Sequence, residues 1–302
     1  MDFKKIISAI LALLVGLFTG CKAKENDEKE SSGEKVTSEV SAQKGNGGGT
    51  AEKAVGNVVI TALNVGKADC FVIQTKNSVT MIDTGTEESA EIVEAFLKKN
   101  GITRINQLMI THFDRDHVGG ADHVLKKYEV DKVYSTYYIA KDSDDIDEYK
   151  KALKKKGLSP ILVDTERSYT LDGVTWELYP PEKDDYKKEI SNNSSMVARM
   201  SYGKVSALFT ADAQKARIAE LLEQPNLKSD IIKMPHHGGF EKNLDDLIEL
   251  VQPKYAILTG SNAQPEDEET MSLLKKSGVK SYCTKNGDIV IKTDGKTVTV
   301  SQ

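Results

Sequence analysis

Cysteine is scarce in this chain, with three in 302 residues. Cys70 and Cys283 sit inside apolar, strand-like runs. Such thiols read as buried rather than bridged, although an extracytoplasmic location would permit a disulfide if the two strands were neighbours. Surplus positive charge is missing as well. At a formal net charge of −5 there is no basic footprint for tight, nonspecific nucleic-acid binding. A nuclease is not excluded by this, because bound metal ions are the largest local charges in such a site. The chain also shows no repeat of about 20–50 residues, no glycine-rich phosphate loop and no Gly-x-Ser-x-Gly elbow. Solenoids, P-loop and dinucleotide folds, and elbow-type serine hydrolases are thereby set aside. Histidine is rare, with five in the chain, and four of the five lie in two short windows.

What is present begins with a targeting pattern. Lys4 and Lys5 precede the apolar run Ile6–Phe18, and Thr19-Gly20-Cys21 follows. That run falls short of the ~20 residues a spanning helix needs and reads as a signal-peptide core. Small residues ending on cysteine resemble the lipobox of bacterial lipoproteins, in which Cys21 would carry the lipid. Phe18 stands where that motif usually has Leu, and ordinary secretion is the competing reading. The next segment, 22–56, is rich in Lys, Glu, Ser and Gly and carries Gly45-Asn46-Gly47-Gly48-Gly49. It has too little apolar surface to offset the entropy of ordering, so it is expected to be a flexible tether. The expected location is therefore the bacterial cell surface or the extracytoplasmic face of the membrane, with a folded domain over 57–302.

In that domain, hydrophobic alternation and turn residues predict strands over Val58–Leu63, Cys70–Gln74 and Val79–Ile82, then a helix ending at Asn100-Gly101. Strand and helix signals then alternate: strands at Gln107–Ile110 and Val130–Tyr134, a helix from Asp145 to Lys156, and a hairpin turning at Asp172-Gly173. Further on come strands at Ser195–Tyr202, Val205–Thr210, Asp230–Met234 and Tyr255–Leu258, with helices over 213–223, 243–251 and 266–277, and three short closing strands. Hairpins at both ends with helices between them fit a two-sheet α/β sandwich better than an all-parallel sheet.

The chemistry concentrates in Thr111-His112-Phe113-Asp114-Arg115-Asp116-His117-Val118-Gly119-Gly120, straight after the apolar Leu108-Met109-Ile110. Two imidazoles and two carboxylates there offer lone pairs near neutral pH, as Zn²⁺, Mn²⁺ or Fe sites require. The strand-loop-helix junction is also where open α/β sheets place ligands. A second window, Lys233-Met234-Pro235-His236-His237-Gly238-Gly239, holds two more imidazoles.

Asp83 after one strand, His112-x-Asp114-x-Asp116-His117 after another, Asp212 after a third and His236-His237 after a fourth resemble, in that order, the metallo-β-lactamase superfamily. More narrowly, the chain from Val58 onward resembles the metallo-hydrolase domain of ComEC-type DNA-uptake proteins. The matching stretches are Asn64–Asp69, Met81–Gly85, Thr111–Gly120, Asn192–Val197, Leu208–Asp212, Lys233–Gly239 and Thr284–Ile289. The resemblance implies an αββα sandwich and one or two divalent metal ions, Zn or Mn. It implies His112 and Asp114 at a first metal, Asp116 and His117 at a second, and Asp212 between them. One of His236 and His237 would be a ligand and the other a substrate contact; the order of the pair is open. Asp83 would orient a histidine ligand from behind. Two bridged metals would lower the pKa of a shared water and clamp an oxyanion. Asp114, where the wider superfamily has His, leaves the first site oxygen-rich, which makes Mn²⁺ as suitable as Zn²⁺.

Blander readings stand beside these. The 112–117 loop could be a solvated helix entry and Asp212 a helix cap. Asn193 and Ser194 either touch substrate or hold their loop. Arg115 either binds phosphate or is merely exposed. His123 has no partner in register, and Asp142–Asp147 reads as a helix start rather than a calcium loop. The function these features favour is a lipid-anchored metal-dependent phosphodiesterase, acting on DNA or a phosphodiester of a cell-wall polymer, with no protein partner expected. A lactonase or other acyl hydrolase of the same fold, or a catalytically poor binding lipoprotein, are the alternatives.

Overall fold

The structure, a computed structural model, describes residues 58–137 and 143–302. The expected signal segment, Cys21 and the tether lie outside the described residues, as does Asp142. In chain order the first elements are β1 (Val58–Ala62), β2 (Phe71–Gln74), β3 (Val79–Ile82), α1 (Ala90–Lys99), β4 (Arg104–Ile105), β5 (Gln107–Ile110), α2 (Arg115–Val118), α3 (Ala121–Lys127), β6 (Glu129–Val130), β7 (Val133–Thr136) and α4 (Asp144–Lys156). Then follow β8 (Ile161–Val163), β9 (Arg167–Leu171), β10 (Val174–Tyr179), α5 (Ile190–Asn193), β11 (Val197–Tyr202), β12 (Val205–Phe209), α6 (Lys215–Leu221) and β13 (Ile231–Lys233). The chain closes with α7 (Leu244–Val251), β14 (Tyr255–Leu258), α8 (Glu268–Lys276), β15 (Lys280–Cys283), β16 (Ile289–Thr293) and β17 (Val298–Ser301).

The strands form an eight-stranded sheet, β17-β16-β1-β2-β3-β5-β7-β8, and a seven-stranded sheet, β15-β14-β13-β12-β11-β10-β9. Alternation sorts their side chains into layers. On β5, Leu108 and Ile110 join the core beneath α1, α3 and α4, while Met109 faces the core between the sheets. On β13, Ile232 packs under α6 and α7, and Ile231 faces the inter-sheet core with Trp176 and Phe209. Both strands are covered on both faces, which is why they read as mainly apolar runs, broken by Gln107 at the start of β5 and Lys233 at the end of β13. The layers run helix, sheet, sheet, helix: the expected αββα sandwich.

Local sequence explains the element ends. Ser143 caps α4 by accepting from the Ile146 N–H, acids fill the first turn and lysines the last, and Gly157 closes the helix at φ 67°. Asp172 and Gly173 both take positive φ between paired Leu171 and Val174, the geometry of a tight hairpin turn. The predicted strand Val130–Tyr134 needs correction. It divides at Asp131-Lys132 into β6, which pairs with β4, and β7, which enters the large sheet. Asp131 breaks it by turning its carboxylate to Arg104 Nε (3.1 Å) and Asn106 Nδ2 (3.0 Å). The helix after the motif starts at Ala121, and Arg115–Val118 already forms a turn of helix before it.

Strands β3, β5 and β7 run parallel, as do β12, β13 and β14. Their carboxyl ends deliver Asp83, residues 111–117, Asp212, Lys233–His237 and Thr259 to one region. Cys70 and Cys283 are free, buried thiols. Among the described residues no helix is long and apolar enough to cross a membrane.

Candidate metal centre

Four side chains from three loops converge. Ligand-type atoms of Asp116, His117, Asp212 and His237 all lie within 4.8 Å of one another. Asp116 and His117 arrive on α2, where helical geometry presents adjacent side chains at the start of one turn. Asp212 follows β12 and His237 follows β13. His237 Nε2 lies 3.0 Å from Asp116 Oδ2 and 3.0 Å from Asp212 Oδ2, and His117 Nε2 lies 3.3 Å from Asp212 Oδ1.

The far nitrogen of each ring is held from behind. Asp83 Oδ2 accepts from His117 Nδ1 at 2.7 Å, and the same carboxylate accepts from the Thr111 N–H (2.8 Å) and hydroxyl (2.6 Å). Thr259 Oγ1 donates to Asp69 Oδ1 at 2.6 Å, so its oxygen accepts from His237 Nδ1 at 2.9 Å. With Nδ1 the donor in both rings, Nε2 is the nitrogen that faces the cluster, and it would offer its lone pair to a cation once its proton is displaced. This is the orienting role expected of Asp83; Asp69 and Thr259 do the same for His237.

Burial makes the arrangement electrostatically tense. Burial pushes the Asp212 carboxyl up, but His237, His117 and the Lys233 ammonium overcome it and hold it well below the usual range. Burial likewise raises Asp116, and His117 and His237 bring it down to about 2. The imidazoles move the other way. Burial lowers His237, but Asp212 and Asp116 carry it up to about 10, and Asp212 and Asp83 raise His117 well above its ordinary value. The protein's own groups thus hold protons where a cation would sit, and cation and protons would exchange.

The donor set fits a divalent metal. His112 Nε2 is buried and has no hydrogen-bond partner among the described residues, and His117 Nε2 has only the Asp212 carboxylate, at 3.3 Å and outside hydrogen-bond geometry; an unpaired buried imidazole nitrogen is costly unless a Lewis acid takes it up. His112 stands beside His117, ring centroids 4.0 Å apart. Its Nε2 is 3.7 Å from Asp114 Oδ2, and Asp114 Oδ1 accepts from the Ser191 hydroxyl. His112 and Asp114 therefore flank the four-residue cluster without belonging to it.

The His236-His237 pair separates. Both residues, and Gly238, adopt positive φ (47°, 58° and 99°). This left-handed turn sends His237 inward and His236 outward, where its Nδ1 meets Gln214 Nε2 at 3.3 Å and Glu241 at 3.5 Å. Glycine suits position 238, because its φ of 99° would strain any other residue there. Asp83 (55°) and Ala211 (50°) are left-handed too. Strained backbone of this kind persists where the surroundings over-determine it.

Other candidates find different work. Asp212 is not a helix cap, for the α6 cap position is Gln214. Asn193 is buried and spends its amide on Lys188 O, Glu189 O and the Arg217 N–H, while the Ser194 hydroxyl bonds Ile190 O at 2.6 Å. Both side chains hold their loop. Arg115 pairs with Glu88 on the surface. His123 does have a partner, Glu87 Oε1 at 2.8 Å, because the 3-10 turn before α1 packs beside α3.

Sequence reasoning missed Lys233. By alternation it follows Ile231 onto the inter-sheet face, and there its buried ammonium reaches Asp69 Oδ2 (2.6 Å), Asp212 Oδ1 (3.1 Å) and Ala211 O (2.6 Å). The signal was a lysine inside the apolar run Ile231-Ile232-Lys233-Met234. Asp69 closes the stretch Asn64–Asp69, where the sequence alone assigns it no role.

Residues 63–260 match the Metallo-beta-lactamase superfamily, and the chain belongs to that superfamily. Within it the chain is similar to competence proteins. It is 28% identical over 205 residues to ComE operon protein 3 of Bacillus subtilis (strain 168), covering 66% of this chain and 26% of that protein. It is 24% identical over 211 residues to Recombination protein 2 of Haemophilus influenzae (strain ATCC 51907 / DSM 11121 / KW20 / Rd), covering 68% of this chain and 24% of that protein. The chain thus spans about a quarter of the length of these relatives. Among solved structures, the metallo-β-lactamase fold protein YhfI of Bacillus subtilis superposes with a TM-score of 0.51 at 12% identity, over 81% of this chain and 100% of that one. CmlA, a diiron β-hydroxylase of Streptomyces venezuelae, gives 0.51 at 13% identity over 80% and 55%. These likenesses establish the fold alone; one fold carries many chemistries.

Proposed function

We propose that the protein is a metal-dependent phosphodiester hydrolase, lipid-anchored through Cys21 on the outer face of the membrane. The observation that carries the hydrolase reading is the convergence of Asp116, His117, Asp212 and His237 with both imidazoles oriented from behind. Those four residues would hold one divalent ion, Zn²⁺ or Mn²⁺, and His112 with Asp114 would contribute to a second. When bound, the metal supplies Lewis acidity to a phosphoryl oxygen and to water. Lys233 offsets the negative charge of Asp69 and Asp212, so that the carboxylates stay ionised and in place. His236, partly exposed beside His237, is free to donate to a substrate oxygen. The phosphodiester class is supported by the relatives, one of which is named for recombination, and by the resemblance to DNA-uptake proteins. DNA is the favoured substrate and a cell-wall phosphodiester polymer its competitor.

The test is a panel on the full-length protein: DNA, bis-p-nitrophenyl phosphate, a lactone and a cephalosporin, each with Mn²⁺, Zn²⁺ or EDTA. Phosphodiester cleavage that EDTA and Asp116→Ala both abolish is expected. Lactone or cephalosporin turnover with no phosphodiester cleavage would refute the reading in favour of acyl transfer. For the anchor, Cys21→Ala should move the protein out of the membrane fraction.

A further inference from the structure

A cleft of about 230 Å³ opens on the His237 side of the centre, lined by Lys67, His236, His237, Gly239, Phe240 and Gln264 among others. Two of its residues serve no structural purpose evident in the fold. Phe240 is 47% exposed, and of the phenylalanines among the described residues it is the one classed as exposed. Its backbone is fixed all the same, since its N–H donates to Asp267 Oδ2 at 2.7 Å. Lys67 is half-buried on the turn after Gly66 and forms no ion pair among the described residues. The cleft also carries two carboxylates: Asp267, which accepts from that N–H, and Glu241, which accepts from Gln214 Nε2 at 2.8 Å; Lys67 forms an ion pair with neither. The cleft therefore places a flat apolar ring and an unpaired ammonium within one small volume that His237 also lines. A separate, larger cavity of about 600 Å³ borders Asp114 and carries Arg115, Lys187 and Lys188 together with Asp145 and Glu189.

We propose that Lys67 and Phe240 form a nucleotide subsite, in which a nucleobase stacks on the Phe240 ring and Lys67 holds the adjoining phosphate. Stacking on an exposed aromatic requires an unpaired base, so the ligand is single-stranded nucleic acid. This rests on the phosphodiester reading above and narrows it, because a polyol-phosphate polymer has no flat group to offer the ring. Lys67 contributes charge without regard to sequence, and Phe240 contributes the preference for a base.

The test measures binding and cleavage separately on the full-length protein. Fluorescence anisotropy compares a thymidine oligomer with an abasic oligomer of the same length, for wild type, F240A, F240W and K67A. F240A should bind the thymidine oligomer about 5- to 100-fold more weakly, bind the abasic oligomer as wild type does, and recover in F240W. K67A should weaken both oligomers and lower the salt dependence by about one counterion. In cleavage assays the F240A defect should fall on KM rather than kcat. If the protein cleaves no phosphodiester but binds the thymidine oligomer through Phe240, the subsite stands and the hydrolase reading falls. If it cleaves DNA while wild type and F240A treat base-bearing and abasic oligomers alike, the subsite is overturned and the hydrolase reading stands. No binding of either oligomer also overturns the subsite.

Discussion

Asp83→Asn changes one atom at the centre's rear wall and leaves its volume intact. The carboxylate now accepts from His117 Nδ1 and from the Thr111 N–H and hydroxyl. In the variant, the amide oxygen keeps the Thr111 N–H, and the amide nitrogen faces His117 Nδ1. That nitrogen only donates, so Nδ1 must accept and the ring proton moves to Nε2. His117 then points a donor at the cluster in place of a lone pair. Loss of such an orienting partner typically weakens metal binding about 10- to 100-fold. At a metal concentration of about 100 Kd, binding stabilises wild type by about 2.7 kcal/mol, and the weakened variant, at about 1–10 Kd, by about 0.4–1.4 kcal/mol. The difference of about 1.3–2.3 kcal/mol corresponds to a metal-induced rise in Tm about 3–9 °C smaller in a domain of this size. Differential scanning fluorimetry with and without Mn²⁺ or Zn²⁺, backed by calorimetric titration, reads it. A full metal-induced shift in a folded D83N protein would refute both the ligand role of His117 and the orienting role of Asp83.

Lys233→Met removes a buried cation from between two buried carboxylates, so urea unfolding of the metal-free protein should show a loss of about 3–5 kcal/mol; a loss below about 1 kcal/mol would mean that Asp69 and Asp212 do not depend on it. Asn193→Ala should cost about 1–3 kcal/mol through its unpaired loop partners yet leave metal affinity and KM unchanged, whereas a KM effect without destabilisation would return Asn193 to the substrate. For pH, His237 is held up to about 10 from an ordinary 6.5, so the stability its proton contributes is fully present below pH 6.5 and fades as pH rises through about 10. Asp116 is held down to about 2 from 3.8, so its contribution is present above pH 3.8 and fades as pH falls through about 2. Metal-free protein in EDTA should therefore be most stable between these limits, and the gain from added metal should grow from pH 5.5 to 7.5 as protons are displaced. Metal-free stability that climbs from pH 7 to 9.5 would contradict the network.

Periodic segments were legible because their burial is two-sided and local. The strand Gln107–Ile110 has the same bounds in both readings, since an apolar run between Asn106 and the polar loop admits one placement. The Val130–Tyr134 strand was misread because its break depends on Asp131 meeting Arg104 and Asn106, residues some 25–27 positions away. The centre was legible through residue types that metals need, spaced as a known family spaces them. Lys233 carries no such type signal: its role exists only once β13 sets its alternation and β12 lies beside it. The partner of His123 was hidden for the same reason, Glu87 being 36 residues away and outside the helical register.

The order of the His236-His237 pair shows where sequence reasoning must stop. On extended chain, adjacent side chains alternate, and either one serves equally well as the inward residue. The fold decides it with a left-handed turn at φ 47° and 58°, a conformation with a local cost for histidine. Something must hold that turn, and two contacts do: His236 N–H donates to Ala211 O at 3.2 Å, and Lys233 Nζ donates to the same oxygen at 2.6 Å. Ala211 is itself left-handed and immediately precedes Asp212. One buried lysine thus ties the strained turn that aims His237 to the strained turn that aims Asp212. The two side chains, at the ends of the neighbouring strands β12 and β13, are thereby fixed 3.0 Å from each other. On this reasoning Lys233 shapes the centre as much through the backbone as through charge. An arginine there would keep the charge but, being longer, could not keep all three contacts, so Lys233→Arg should lose metal affinity although the site's net charge is unchanged. Wild-type metal affinity in K233R, measured by the same titration, would show that charge alone is what the centre requires.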